Sequence, residues 1–278
     1  MNTLDISNRH GTTLIELLIA VVLTGIITLA IMKTYETQHE NYLVQDDVTT
    51  MQQGARASID ELTRQVRMAG HHLPLGMDPI EAHNTDPDTI TIVYHGNNCE
   101  TYLSEPMPQP SAELKCGSDI SCFEENQWVY IWEPDSAKGE WFQISEVQVA
   151  SGHLQHRFKP KELSRVYGAN SIILALNRVK FFIDNTTYPD NPRLMTQMGG
   201  DDPEPYADHA IDLQFQYRLA NGNVVDSPLV VSDVREVLMS VSVESTLAQL
   251  PERQGGRPDD VPKMRTYATS VNVRNIGI

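Results

Sequence analysis

The sequence predicts an α+β protein, one long N-terminal helix packed on a mainly antiparallel β-sheet domain. Three observations carry this. Leu14 to Met32 is almost wholly apolar, and Lys33 ends the run. Beyond it, Val48, Met51, Ala55, Ile59, Leu62, Val66 and Ala69 recur at steps of three and four, the stripe of a half-buried helix. From Leu73 onward the pattern turns to short alternating runs bounded by Pro, Gly, Asn and Asp, which read as strands.

The apolar run is the first element. At ~1.5 Å per residue it spans roughly 28 Å, close to the hydrocarbon thickness of a bilayer. A cleaved secretory signal usually has a shorter apolar region followed by small residues, and Ile31-Met32-Lys33-Thr34-Tyr35 offers no such site. A plain anchor accounts for everything except Glu16, the one charged residue in the run. An acid inside a spanning helix is costly and marks function or a specific partner. Few charges flank the run on its N-terminal side, Arg9 and Asp5 among them. The acids beyond it, Glu36, Glu40, Asp46 and Asp47, do not oppose an outward-facing C-terminus.

No Pro or Gly interrupts Lys33 to Gln53, so the helix is expected to continue to about Ala69, where Gly70 and Pro74 supply a stop. Two helices hinged near Tyr42 are the alternative. Strands are expected at 89–94, 128–132, 141–149, 179–184, 211–217, 234–244 and 267–273, with a hairpin turn at Asn221-Gly222.

Composition bounds the function. With 40% hydrophobic and 21% charged residues the chain can bury a sizeable core. A net charge of -16 and no cluster of Lys and Arg argue against nucleic-acid binding. There is no nucleophile elbow, phosphate loop or dinucleotide fingerprint, and no catalytic residue is assigned. Cys116 and Cys122, with Gly117 between them, suit a small disulfide loop; Cys99 with either is the alternative. A zinc site using His95 would need a paired-cysteine spacing that is absent. His153 and His156 fall three apart in an expected strand, on opposite faces. Asp190, Asp201, Asp202, Glu204 and Asp208 form an acidic, Pro- and Gly-rich stretch around Gly199-Gly200. Oxygen-rich loops can hold calcium, so these five are candidate ligands, a solvated loop being the ordinary reading. No other cofactor is expected.

The stretch Gly11-Thr12-Thr13-Leu14-Ile15-Glu16-Leu17-Leu18-Ile19-Ala20 resembles the class III signal of type IV prepilins. That resemblance implies a pilin-like fold and cleavage after Gly11 by a membrane prepilin peptidase, which also methylates the new N-terminus. Gly11 becomes the last leader residue, Thr12 the first mature and methylated one, and Glu16 the acid that serves assembly. The family usually has Phe or Met where this chain has Thr12. A free α-amino group has a pKa near ~8, so the cationic N-terminus of one subunit and Glu16 of its neighbour can neutralise each other inside a filament.

Ser58 to Gly70, ending in Arg67-Met68-Ala69-Gly70, looks like the helix end of PilW-type minor pilins and the related GspJ-type pseudopilins. The strand order, Ile211-Asp-Leu-Gln-Phe-Gln-Tyr217, then Val234-Arg-Glu-Val237, then Arg265, Tyr267 and the closing Val273, Arg274, Asn275, is also similar to PilW. The resemblance implies a leader over 1–11, a long helix over 12–72 with its membrane part at 14–32, and a periplasmic β-rich domain over 73–278. It further implies a single-pass inner-membrane protein that takes part in type IV pilus assembly. Its expected partners are other minor pilins, the major pilin, prepilin peptidase, the inner-membrane assembly platform and membrane lipid. The alternatives are a minor pseudopilin of a type II secretion system, or a membrane-anchored periplasmic adhesin or enzyme.

Overall fold

A computed structural model describes residues 13–74, 76–156, 163–245 and 264–276. The chain divides into two compact units, residues 1–49 and 50–278. Helix α1 spans Leu14–Met68, as the uninterrupted stretch predicts. It is followed by strands β1 (Ile80–His83), β2 (Thr89–Tyr94), β3 (Glu100–Tyr102), β4 (Leu114–Lys115), β5 (Trp128–Glu133), β6 (Lys138–Gln148), β7 (His153–His156) and β8 (Ile172–Leu174). The second half brings β9 (Asn177–Asp184), β10 (Arg193–Met198), β11 (Glu204–Asp208), β12 (Ala210–Leu219), β13 (Val224–Val225), β14 (Val234–Glu244) and β15 (Met264–Asn272). Among the described residues every strand pair is antiparallel within three sheets, ordered β1-β2-β9-β10-β11, β13-β12-β14-β15 and β3-β8-β5-β6-β7-β4.

In the larger unit the helix buries Met51, Ala55, Leu62, Val66 and Ala69, the stripe expected from its apolar spacing. Val48 lies in the smaller unit, and Ile59 sits at the margin of the stripe, half-buried. Two polar residues, Ser58 and Gln65, are buried in their place. The Ser58 hydroxyl donates to Gly54 O at 2.8 Å and the Gln65 Nε2 to Glu61 Oε1 at 2.8 Å, while Gln65 Oε1 is buried without a partner among the described residues. Gly54 faces the sheet edge closely, and a Cβ there would lie 3.7 Å from Ala207.

The helix ends where Gly70 takes φ +80, a backbone state that favours glycine. Its N–H leaves the helix and donates to Val93 O of β2 at 3.0 Å. Asp88 performs a similar stitching between the first two sheets. Its two carboxylate oxygens accept from the Thr85 and Phe215 amides at 3.0 and 2.8 Å, while its own N–H donates to Leu213 O at 2.8 Å. Burial pushes the Asp88 carboxyl above its ordinary range, and the two amide donors pull against that shift. Asp88→Ala would leave both amides without their acceptor in a site only 3% exposed. It should lower stability by about 2–4 kcal/mol, read from a denaturant melt; an unmoved midpoint would refute the stitch.

The third sheet closes on itself. Its outermost strands, β3 and β4, are joined by a bridge between Leu103 and Cys116, flanked by hydrogen bonds from Ser104 N to Lys115 O at 2.9 Å and from Gly117 N to Tyr102 O at 2.8 Å. The result is a six-stranded barrel. Alternation builds its core: Val129 and Ile131 of β5, Phe142 and Ile144 of β6, Leu154 of β7 and Ile173 of β8 are buried inside, each worth about 1.5–3 kcal/mol on burial. On β5 the intervening Trp128, Tyr130 and Trp132 are half-buried, and Tyr130 meets Trp141 edge-on at 5.4 Å. The barrel is an insertion. Tyr94 and Asn177, the residues on either side of it, are direct partners in the β2–β9 ladder.

Trp128 also explains Gly199-Gly200. A Cβ on Gly200 would overlap the Trp128 indole, so that turn must be bare for the β10–β11 hairpin to rest on the barrel.

Candidate functional site

The segment with the strongest functional signal is the start of α1. Gly11 and Thr12 lie outside the described residues. Thr13 is the first described residue and serves as the helix cap. Its N–H and hydroxyl both donate to Glu16 Oε2, at 2.8 and 3.1 Å. The Glu16 N–H returns a bond to the Thr13 hydroxyl at 3.4 Å. This is a reciprocal capping box, and Thr13 is a residue that the sequence reading left without a role. The Thr-x-x-Glu spacing was the signal that could have found it. Both donors converge on one carboxylate oxygen, so Oε1 takes no part in the cap.

Beyond the cap the helix is apolar all round. Leu14, Ile15, Leu17, Val21, Ile26, Leu29 and Ile31 are all more than half exposed. The polar side chains in this stretch hide their hydroxyls in the helix itself: Thr24 donates to Ala20 O at 2.7 Å, Thr28 to Thr24 O at 2.8 Å and Thr34 to Ala30 O at 2.9 Å. A helix whose side chains satisfy themselves this way suits a medium without water. By length and composition it can cross a membrane.

The end of the same helix brings two distant sequence motifs together. The Asn275 side-chain amide lies 3.4 Å from Arg67 O and 3.5 Å from Ala69 O. A Cβ on Gly70 would lie 2.5 Å from Asn275 O. The Arg67-Met68-Ala69-Gly70 ending and the closing Val273-Arg274-Asn275 are therefore halves of one contact, which needs a glycine for space as well as for φ.

The cysteines require a correction. Cys99 pairs with Cys122, with Cα atoms 5.8 Å apart, and Cys116 is free. The expected Cys116–Cys122 loop does not form because the bridge to Leu103 holds Cys116 in the barrel wall, where its N–H donates to Gly152 O at 2.8 Å. Burial pushes the Cys116 thiol up to about 11, so at neutral pH it stays protonated and a poor nucleophile.

The five acidic candidates do not form one site either. Asp201 and Asp202 lie at the turn of the β10–β11 hairpin and Glu204 opens β11 opposite Thr196. Asp208 closes β11 at the other end, paired with Arg193 at 2.9 Å. Asp190 belongs to the β9–β10 connection, at that same end. Strand β11 thus holds the two groups apart, and among the described residues no three His, Cys, Asp or Glu side chains gather as metal ligands. His153 and His156 point to opposite faces of β7: His153 sits 3.5 Å from Glu113 at the surface, and buried His156 meets Ala112 O at 3.1 Å.

Comparison with known proteins bears on the N-terminal segment. No curated protein matches the chain. The family model described as the prokaryotic N-terminal methylation motif matches residues 6–32. That match ends where the apolar run ends and contains Gly11, Thr12 and Glu16. With the long apolar helix and the antiparallel sheets behind it, this type IV prepilin-like signal supports the pilin or pseudopilin class for the chain.

Proposed function

We propose that this protein is a minor pilin of the PilW type, which primes or caps a type IV pilus together with other minor pilins. Prepilin peptidase cuts after Gly11 and methylates Thr12. The apolar half of α1 holds the subunit in the inner membrane with the β-rich domain in the periplasm, until the assembly platform passes it to the filament. Its action is binding and polymerisation rather than turnover.

The observation that carries this reading is Glu16. It is the single acid of the apolar run, it lies inside the methylation motif, and its cap leaves one carboxylate oxygen for a partner's amine. The finer assignment rests on the Gly70–Asn275 contact, since it joins the two stretches that resemble PilW. A minor pseudopilin of a type II secretion system uses the same N-terminal chemistry. Deleting the chain separates the two, by loss of pili on one reading and loss of protein export on the other.

The leader assignment has its own test. Gly11→Ala should leave the precursor uncut, at least tenfold above the parent's residue of uncut chain, with mass spectrometry of the N-terminus as the readout. A variant cut as the parent is would overturn it, and a mature parent that retains residues 1–11 would favour a plain membrane-anchored adhesin or enzyme.

A further inference from the structure

Edge strands invite pairing with other chains, and proteins blunt them in recognisable ways. Most sheet edges among the described residues are blunted here. β1 has four residues and β13 two. β11 carries Pro205, pairs through a register shift at Leu194/Met195, and has Tyr206 bonded to Ala57 O of the helix at 3.3 Å. β3 and β4 are closed by the Leu103–Cys116 bridge. The exception is β15. It runs nine residues, pairs with β14 in unbroken register from Glu236–Asn272 to Glu244–Met264, and contains no Pro or Gly.

One hydrogen bond sets the phase of that edge. Val273 N donates to Arg235 O at 3.0 Å, continuing the ladder. In an antiparallel pair the bonding residues alternate, so 273, 271, 269 and 267 turn their amides toward β14. The N–H and C=O groups of Thr266, Ala268, Ser270 and Asn272 then point away from the sheet, and all four residues are exposed.

We propose that β15 is a strand-pairing site, at which an extended segment of another pilin-like subunit adds to the sheet. That the partner is such a subunit rests on the function proposed above. Charge argues for a different subunit rather than a second copy. From Met264 to Ile276 there is no acid on a chain of net charge -16, and exposed Arg265 and Arg274 bracket the neutral strand. Antiparallel self-pairing would gather Arg265 of one copy and Arg274 of the other, on opposite faces, at each end of the joint with no acid to offset them. A complementary occupant is a neutral, β-prone strand with an acidic residue near each end.

The test uses the full chain in the cells that make it. A photo-crosslinking residue at position 268 should join the chain to a second protein that carries the same N-terminal methylation motif. Ala268→Pro removes an outward N–H and no ladder bond, a place where an edge tolerates proline. It should reduce co-purification of that protein at least tenfold, with the melting midpoint and the Cys99–Cys122 bond kept. Should the proline variant misfold, Arg265→Glu with Arg274→Glu leaves the ladder untouched and should cause the same loss. A crosslink to a second copy, to lipid or to nothing overturns the pairing, as does unchanged co-purification in the folded variants. A chain that keeps residues 1–11 yet crosslinks as expected overturns the functional reading and leaves the pairing standing.

Discussion

A Glu16→Ala chain should be cut after Gly11 like the parent and yet enter filaments on the order of tenfold less well, or worse. On the proposed function the two steps use different features of one segment. Cleavage depends on the leader and the residues at the cut, whereas Glu16 lies farther along, in the first turn of α1. In the single chain its Oε2 is held by the Thr13 amide and hydroxyl, and its other oxygen is available to a neighbour's cationic N-terminus. In the dry interior of a filament that cation has little water to turn to. Removing the acid leaves it buried and unpaired, which is the expensive way to break an ion pair. Glu16→Gln separates the cap from the charge. The amide oxygen can still accept from Thr13, but it carries no charge, so Gln should assemble almost as poorly as Ala. The ratio of subunit in sheared filaments to subunit left in membranes measures this. Parent-like incorporation of both variants would remove the pairing model, and rescue by Gln alone would show that the cap matters and the charge does not.

Cys122→Ser should lower the stability of the barrel by about 3 kcal/mol, as expected for a loop of this size. The disulfide closes a sequence separation of 23, and Cys99 is 3% exposed within the barrel core. Cys99→Ser should cost at least as much, because it also puts a hydroxyl into that core. Cys116→Ser should cost less than about 1 kcal/mol, since its sulfur is half-buried and bonded to no other. The loss should be local. Tyr94 and Asn177 pair directly across the insertion, so β12 and β14 need not open when the barrel does. Hydrogen exchange reads both parts: β5 and β6 should lose protection while β12 and β14 keep it. Equal effects from Cys116→Ser and Cys122→Ser would contradict the pairing, and a uniform loss across the chain would contradict the independence of the barrel.

The contrast between these predictions follows what each feature depends on. The helix, its apolar half, its buried stripe and its stop near Gly70 were legible because period and punctuation are local properties of a chain. Strands β2 and β14 coincide with their expected limits, and β5, β6, β9, β12 and β15 differ by a few residues. Asn221-Gly222 forms the expected turn, with Gly222 at φ +86. Strands β1, β3, β4 and β8 escaped notice because two to four residues carry no usable alternation and all but β1 pair with residues far away in sequence. β10 and β11 fall in the stretch read as an acidic loop.

Other features belonged to tertiary structure alone. Cysteine spacing favoured Cys116 with Cys122, but a disulfide requires close Cα atoms, and the register that places Leu103 against Cys116 brings Cys99 to Cys122 instead. Five acids near Gly199-Gly200 looked like one loop until β11 ran through the middle of them, and those glycines are bare for the Trp128 ring. By itself the sequence determined the apolar helix, its acid and the two end motifs, since each is written in neighbouring residues. Only the fold decided that Gly70 and Asn275 share one contact, that the middle of the chain closes into a barrel, and that β15 alone among the described strands keeps an open edge. Those depend on pairings between residues far apart in the chain, and no local pattern records them.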